Sequence, residues 1–142
     1  GLQVVIKEDH RVPAVMTQIW YHVGSADEQF GKTGMAHMLE HMMFQGTDKY
    51  PPGEYSRLIQ AYGGQENAFT NTDNTVYFAY VLKSQWPQVL ALEADRMRNV
   101  SCSAERFGRE RDVVKEERYM RVDDQPIDVD RPETQEDFEG NE

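Results

Sequence analysis

The stretch KTGMAHMLEHMMF, residues 32–44, contains no proline, is rich in strong helix formers and ends two residues before Gly46. Such residues propagate a helix, and glycine readily takes the left-handed turn that closes one. A helix over residues 33–44 is therefore predicted. Its apolar residues, Met35, Ala36, Met38, Leu39, Met42, Met43 and Phe44, point almost all round the axis, which predicts burial on every side. Three ionisable groups interrupt that apolar surface. His37 and His41 are one turn apart on one face, and Glu40, three residues after His37, borders the same face. Burying two imidazoles and a carboxylate is unfavourable unless something pairs with them.

A metal ion would be such a partner. Two imidazoles one turn apart can bind the same tetrahedral Zn²⁺, and a carboxylate beside them can reach a water at the open position. The order H-x-x-E-H inverts H-E-x-x-H, and both orders gather the same three groups on one turn. The competing reading is a pair of structural histidines hydrogen-bonded in a core. A catalytic zinc takes three protein ligands, so a third must lie elsewhere in the chain. A last helix, from Ser103 to about Val122, offers Glu110 and Glu117, two turns apart on a partly apolar face with Val113, Val114 and Met120. A solvated stripe is the alternative there, because Arg106, Arg109, Arg111, Lys115, Arg118 and several acids surround the pair.

Outward from these helices, Leu2-Gln3-Val4-Val5-Ile6 reads as a strand and Glu8-Asp9-His10-Arg11 as a turn. Residues 13–23 read as a second strand, covered on both faces, so the two strands suggest a hairpin. A helix is expected after Pro51-Pro52, running to Tyr62 and broken by Gly63-Gly64. Residues 65–70 and 75–82 read as a second hairpin, split by the turn formers Asn71-Thr72-Asp73-Asn74. Ser84 is expected to cap a helix with Pro87 in its first turn and an apolar stripe of Val89, Leu90, Leu92 and Met97. The order β, β, α, α, β, β, α, α predicts a layered α+β domain with a mostly antiparallel sheet packed against helices.

Composition bounds the function. The 142 residues carry 15 Lys+Arg against 25 Asp+Glu, a formal charge of −10. No cluster of basic residues is present, which argues against nucleic-acid binding. No apolar run approaches the roughly 18 residues of a membrane span, so no transmembrane segment is expected. The single Cys102 cannot form an internal disulfide. Residues 123–142 hold nine acids and one base, so a domain over residues 1–126 followed by an acidic, flexible tail over 127–142 is expected. The chain opens without Met on a segment read as strand, which suggests that something precedes it.

The segments GMAHMLEHMMFQGT (34–47), GGQENAFTNTDNTVYF (63–78), LEADRM (92–97) and RERDVVKEERYMR (109–121) occur in that order. Together they resemble the amino-terminal catalytic half of the pitrilysin family, which includes insulin-degrading enzyme and the mitochondrial processing peptidases. Bacterial zinc proteases are the most similar type. The resemblance implies a processing-peptidase-like fold and a zinc-dependent metalloendopeptidase acting on peptides or unfolded protein. It implies one Zn²⁺ per chain held by His37, His41 and Glu117, the last standing 76 residues after His41 as the family pattern requires. Glu40 takes the role of general base, and Glu110 that of a group supporting the metal site from behind. Asn67, Ala68, Phe69 and Thr70 correspond to an edge strand that pairs with extended peptide. His10 and His22 match no motif.

The family has a second half that supplies further substrate-binding groups, so the resemblance also implies a carboxy-terminal half or partner subunit, the chain being truncated after about residue 126. It suggests a bacterial periplasm or cell envelope. Two alternatives stand beside this reading. One is a zinc-binding fragment without activity of its own. The other resembles S-ribosylhomocysteine lyase, whose third metal ligand is a Cys; Cys102 lacks that enzyme's Gly-Cys-rich surroundings.

Overall fold

The β-branched and aromatic run TVYFAYVL lies at the centre of the sheet. In the computed structural model, which describes residues 1–123, it forms strand β3 (Thr75–Leu82), flanked by β1 (Ala14–Tyr21) and β2 (Gln65–Thr70). The sheet is antiparallel with order β1-β3-β2. In register, Thr17 faces Ala79, while Ile19 and Ala68 both face Tyr77. Because successive side chains alternate, these residues share one side of the sheet. The helices α1 (Met35–Met43), α2 (Glu54–Ala61) and α3 (Trp86–Asn99) pack on that side. The core joins Tyr55 and Ile59 of α2, Ala79 and Val81 of β3, and Val89 and Leu92 of α3. The fold is thus the expected layered α+β arrangement, with three strands and four α-helices among the described residues.

The last helix, α4 (Ala104–Asp123), starts as its sequence predicts, with the Ser103 hydroxyl accepting the Arg106 N–H at 3.3 Å. Between α1 and α2 the chain turns at Gly46, whose φ of 80° suits glycine and whose position against the Tyr50 and Pro51 backbone leaves no room for a Cβ. Thr47 then pairs with Val100 in an isolated bridge, tying this turn to the segment between α3 and α4. α4 is thereby brought against α1.

A buried ion pair links the layers. Glu93 and Arg96 are 3% and 4% exposed, and one Arg96 nitrogen reaches both Glu93 oxygens at 2.8 and 2.7 Å. The Tyr55 hydroxyl also donates to Glu93. The guanidinium lies over the rings of Tyr55, Tyr77 and Phe44 at 4.4, 4.6 and 5.3 Å from their centroids. Cation–π contact with three rings offsets part of the desolvation of this charge. Through it α3 holds α2, β3 and the end of α1.

Several sequence expectations are corrected. Residues 2–6 do not pair as a strand; Leu2, Val4, Val5 and Ile6 are all at least 70% exposed, because an extended segment forms a strand only when another supplies hydrogen bonds. No hairpin joins them to β1. β1 is not covered on both sides, for Met16, Gln18 and Trp20 are exposed on the face away from the helices. α1 is likewise not buried all round, since Met35 and Leu39 are about half exposed. α3 has Gln85 at its N-cap with no side-chain bond, and Lys83–Gln85 forms a 3-10 turn, so Ser84 is not a cap. The inward stripe of α3 is Val89, Leu92, Glu93 and Arg96, while Leu90 and Met97 face outward. The acidic segment 127–142 lies outside the described residues.

Glu66, on the helix side of β2, carries a pH consequence. Burial raises its carboxyl above the usual carboxylate range, against the opposing effects of a Ser56 hydrogen bond and the Arg96 charge. A raised native pKa means that the folded state binds the proton more tightly than the unfolded chain. Stability should therefore fall as pH rises from the ordinary carboxylate value through the raised one. Glu66→Gln is expected to abolish that decline and to be more stable than wild type at pH 7, as read from urea midpoints across pH 4–7.

Candidate functional site

The site is built where α1 meets α4. Helical spacing places His37 and His41 on the α1 face toward α4, and the inward positions of α4 bring Glu110 and Glu117 to them. The Nε2 atoms of His37 and His41 stand 3.2 Å apart. Glu117 Oε2 lies 3.4 Å from His37 Nε2 and 3.6 Å from His41 Nε2. These three atoms form a nearly equilateral triangle whose edges match the distance of about 3.3 Å between neighbouring ligands of a tetrahedral zinc. His37, His41 and Glu117 can therefore hold a metal ion, and they form the one such group found among the described residues.

Glu110 stands behind the triangle. Its Oε2 is 3.2 Å from His41 Nδ1, and its Oε1 accepts from the Gln45 amide at 2.7 Å. A carboxylate at Nδ1 favours the tautomer with its proton there, leaving the Nε2 lone pair toward the triangle. Arg106 completes the arrangement by donating to the Gln45 carbonyl at 3.1 Å. The side chains of Glu110 and His41 are only 16% and 17% exposed, so the solvated-stripe reading of Glu110 does not hold.

Glu40 is oriented from the sheet. The Thr70 hydroxyl at the end of β2 donates to Glu40 Oε2 at 2.5 Å and lies 3.3 Å from the Thr75 hydroxyl, which in turn donates to the Val23 carbonyl at 3.0 Å. Glu40, the two histidines, Phe44, Gln45, Glu110 and Glu117 line an open cavity of about 290 Å³. Of the strand Asn67 to Thr70, Thr70 touches Glu40, while Asn67 and Phe69 point to the exposed face. Asn67 Oδ1 accepts the Ala68 N–H at 2.8 Å. β2 pairs only with β3 among the described residues, so it is an edge strand beside α1.

Cys102 is exposed and is not part of the metal-capable group, which removes the lyase-like alternative. His10 lies 3.3 Å from Glu8, and His22 is bonded to Asn74 at 2.9 Å, both away from the site. Sequence reasoning passed over Gln45 and Arg106 as site residues. Gln45, four residues after His41, sits at the spacing that places it on the same helical face.

A layered α+β domain whose H-x-x-E-H helix faces a glutamate of a later helix defines a class, that of the inverted-motif metallopeptidase domains. The chain belongs to the insulinase family, peptidase family M16, whose sequence pattern matches residues 3–136. It is 38% identical over 128 residues to the zinc protease PqqE of Helicobacter pylori, covering 89% of this chain and 29% of that protein. It is 36% identical over 114 residues to the probable beta subunit of the mitochondrial-processing peptidase of Arabidopsis thaliana, covering 80% of this chain and 22% of that one. The crystal structure of a protease from Helicobacter pylori superposes with a TM-score of 0.79 at 36% identity, over 83% of this chain and 29% of that chain. The chain thus spans less than a third of the length of these proteins. No helix among the described residues is long and apolar enough to cross a membrane.

Thr70→Val should lower stability by about 1–2 kcal/mol, because it leaves a partly buried carboxylate without its donor, whereas Thr70→Ser should retain most of it. In a Glu40→Gln background the Thr70→Val loss should shrink, and a double-mutant cycle on urea unfolding checks this.

Proposed function

We propose that the chain is the zinc-binding part of a metalloendopeptidase that hydrolyses peptides or unfolded protein. The observation that carries this reading is the triangle of His37 Nε2, His41 Nε2 and Glu117 Oε2, with the Glu40 carboxylate on the same turn of α1. Zinc bound there would polarise the scissile carbonyl and bring the pKa of the attacking water to about 7. Glu40 takes a proton from that water and later delivers it to the leaving amine nitrogen. Thr70 holds the Glu40 carboxylate by donating to Oε2. Glu110 fixes the His41 ring at Nδ1, so that Nε2 presents its lone pair. An extended peptide would pair with the edge of β2 that carries no strand among the described residues, where backbone bonds bind substrate with little dependence on side chains.

The domain boundary is proposed near residue 126, with residues 127–142 as a separate acidic tail. Full activity is proposed to need a further half of the protein. The share of the relatives' length that the chain covers supports this, as does the exposed apolar face of the sheet, with Met16, Trp20, Phe69, Tyr80 and Leu82 each more than 40% exposed.

Elemental analysis of the purified chain should find one zinc, with occupancy lowered in His37→Ala, His41→Ala and Glu117→Ala and kept in Glu40→Gln. Undiminished zinc in Glu117→Ala would sink the assignment of the third ligand. In a peptide-cleavage assay the chain alone should be slow, and addition of the remaining half should raise turnover, with Glu40→Gln inactive in the assembled enzyme. Equal turnover with and without that half would refute the half-enzyme reading. Zinc retention without cleavage in either state would leave the chain as a binding module only.

A further inference from the structure

We propose that Glu28 is a positioning residue for the metal-binding helix, capping α1 from a loop that the β2–β3 turn holds in place. The inference rests on the reading of His37 and His41 as metal ligands. The N-cap of α1 is Gly34, which has no side chain with which to satisfy the first amides of the helix. Glu28, six residues upstream, supplies both oxygens instead. Its Oε2 accepts the Gly34 N–H at 2.8 Å, and its Oε1 accepts the Ala36 N–H at 2.7 Å. Ala36 immediately precedes His37. A carboxylate at a helix N-terminus also meets the positive end of the helix dipole.

The loop bearing Glu28 is itself anchored to the sheet. The Ser25 N–H donates to the Asn71 carbonyl at 3.1 Å and the Ala26 N–H to the Thr72 carbonyl at 2.9 Å. The Asp27 carboxylate accepts the Gly24 N–H at 3.0 Å. Gly24 lies so close to the Asn71 and Thr72 carbonyls that a Cβ there would collide with them. Asn71 and Thr72 directly follow Thr70, the residue whose hydroxyl holds Glu40. One turn therefore reaches α1 at two points, at its start through Glu28 and at Glu40 through Thr70. Two such points fix both the axial and the rotational setting of α1. That setting decides where the histidine nitrogens stand relative to Glu117, which belongs to a different helix.

The test measures zinc affinity of the 142-residue chain by competition with a chromogenic chelator, together with hydrogen exchange at the Gly34 and Ala36 amides. Glu28→Ala should weaken zinc binding about five- to tenfold and speed exchange at both amides. Glu28→Gln, which keeps one acceptor oxygen, should fall between. Val89→Ala removes volume from the core cluster of α2, β3 and α3, which contains no α1 residue; it should lower the urea midpoint while leaving zinc affinity unchanged. Wild-type affinity in Glu28→Ala, or an equal loss in Val89→Ala, would overturn the positioning role. If the wild-type chain binds no zinc, it is the metal reading that fails. Exchange at the two amides then decides the cap alone, unchanged protection in Glu28→Ala overturning it.

Discussion

Four ionisable side chains, His37, His41, Glu110 and Glu117, converge where α1 crosses α4, and this crowding constrains the rest of the chain. Imidazole nitrogens and carboxylate oxygens at 3.2–3.6 Å from one another are tolerable only when protons or a cation lie between them. Apolar packing alone would not bring such groups together. The two helices must be pressed against each other by contacts elsewhere. The Thr47–Val100 bridge and the Arg106 bond to Gln45 do this from the α4 side, while Arg96 on the Phe44 ring holds the end of α1.

The two buried charge systems serve the fold differently. Glu93 and Arg96 neutralise each other within one helix and turn three aromatic rings into a shared surface for the guanidinium, so their charge is settled inside the core. The groups at the α1–α4 contact remain partly open to solvent, and Glu117 is 38% exposed. An interior salt bridge of the first kind is weak evidence for function, whereas an accessible cluster of the second kind has the chemistry of a site.

Legibility in the sequence followed the range of the interactions. The histidine pair, Glu40 and the β2–β3 hairpin could be read because spacings of three and four residues and the turn chemistry of Asn71 to Asn74 are local. Glu117 could not be chosen over a solvated stripe by spacing within its own helix; a family pattern linking it to His41 was needed, and the geometry then brought the two together. Residues 2–6 alternate as a strand does, but alternation names a face and not a partner. Glu93 and Arg96 share the helical period of Val89 and Leu92, a signal obscured by their charge. Glu28 had no periodic signature, because its partners are backbone amides across a loop.

The placement of the two tryptophans decides what light can report about this molecule. Trp20 projects from β1 and meets the Phe69 ring edge-on at 6.3 Å, while the Trp86 indole N–H is bonded to Thr17, also on β1, at 2.9 Å. Both fluorophores thus touch β1, Trp20 as part of that strand and Trp86 from the first residue of α3, and neither belongs to α1 or α4. Intrinsic emission will follow the environment of β1 and, through Phe69, anything that settles against β2. It will be nearly blind to a rearrangement confined to the crossing of the two helices, which needs a reporter placed on α4 itself.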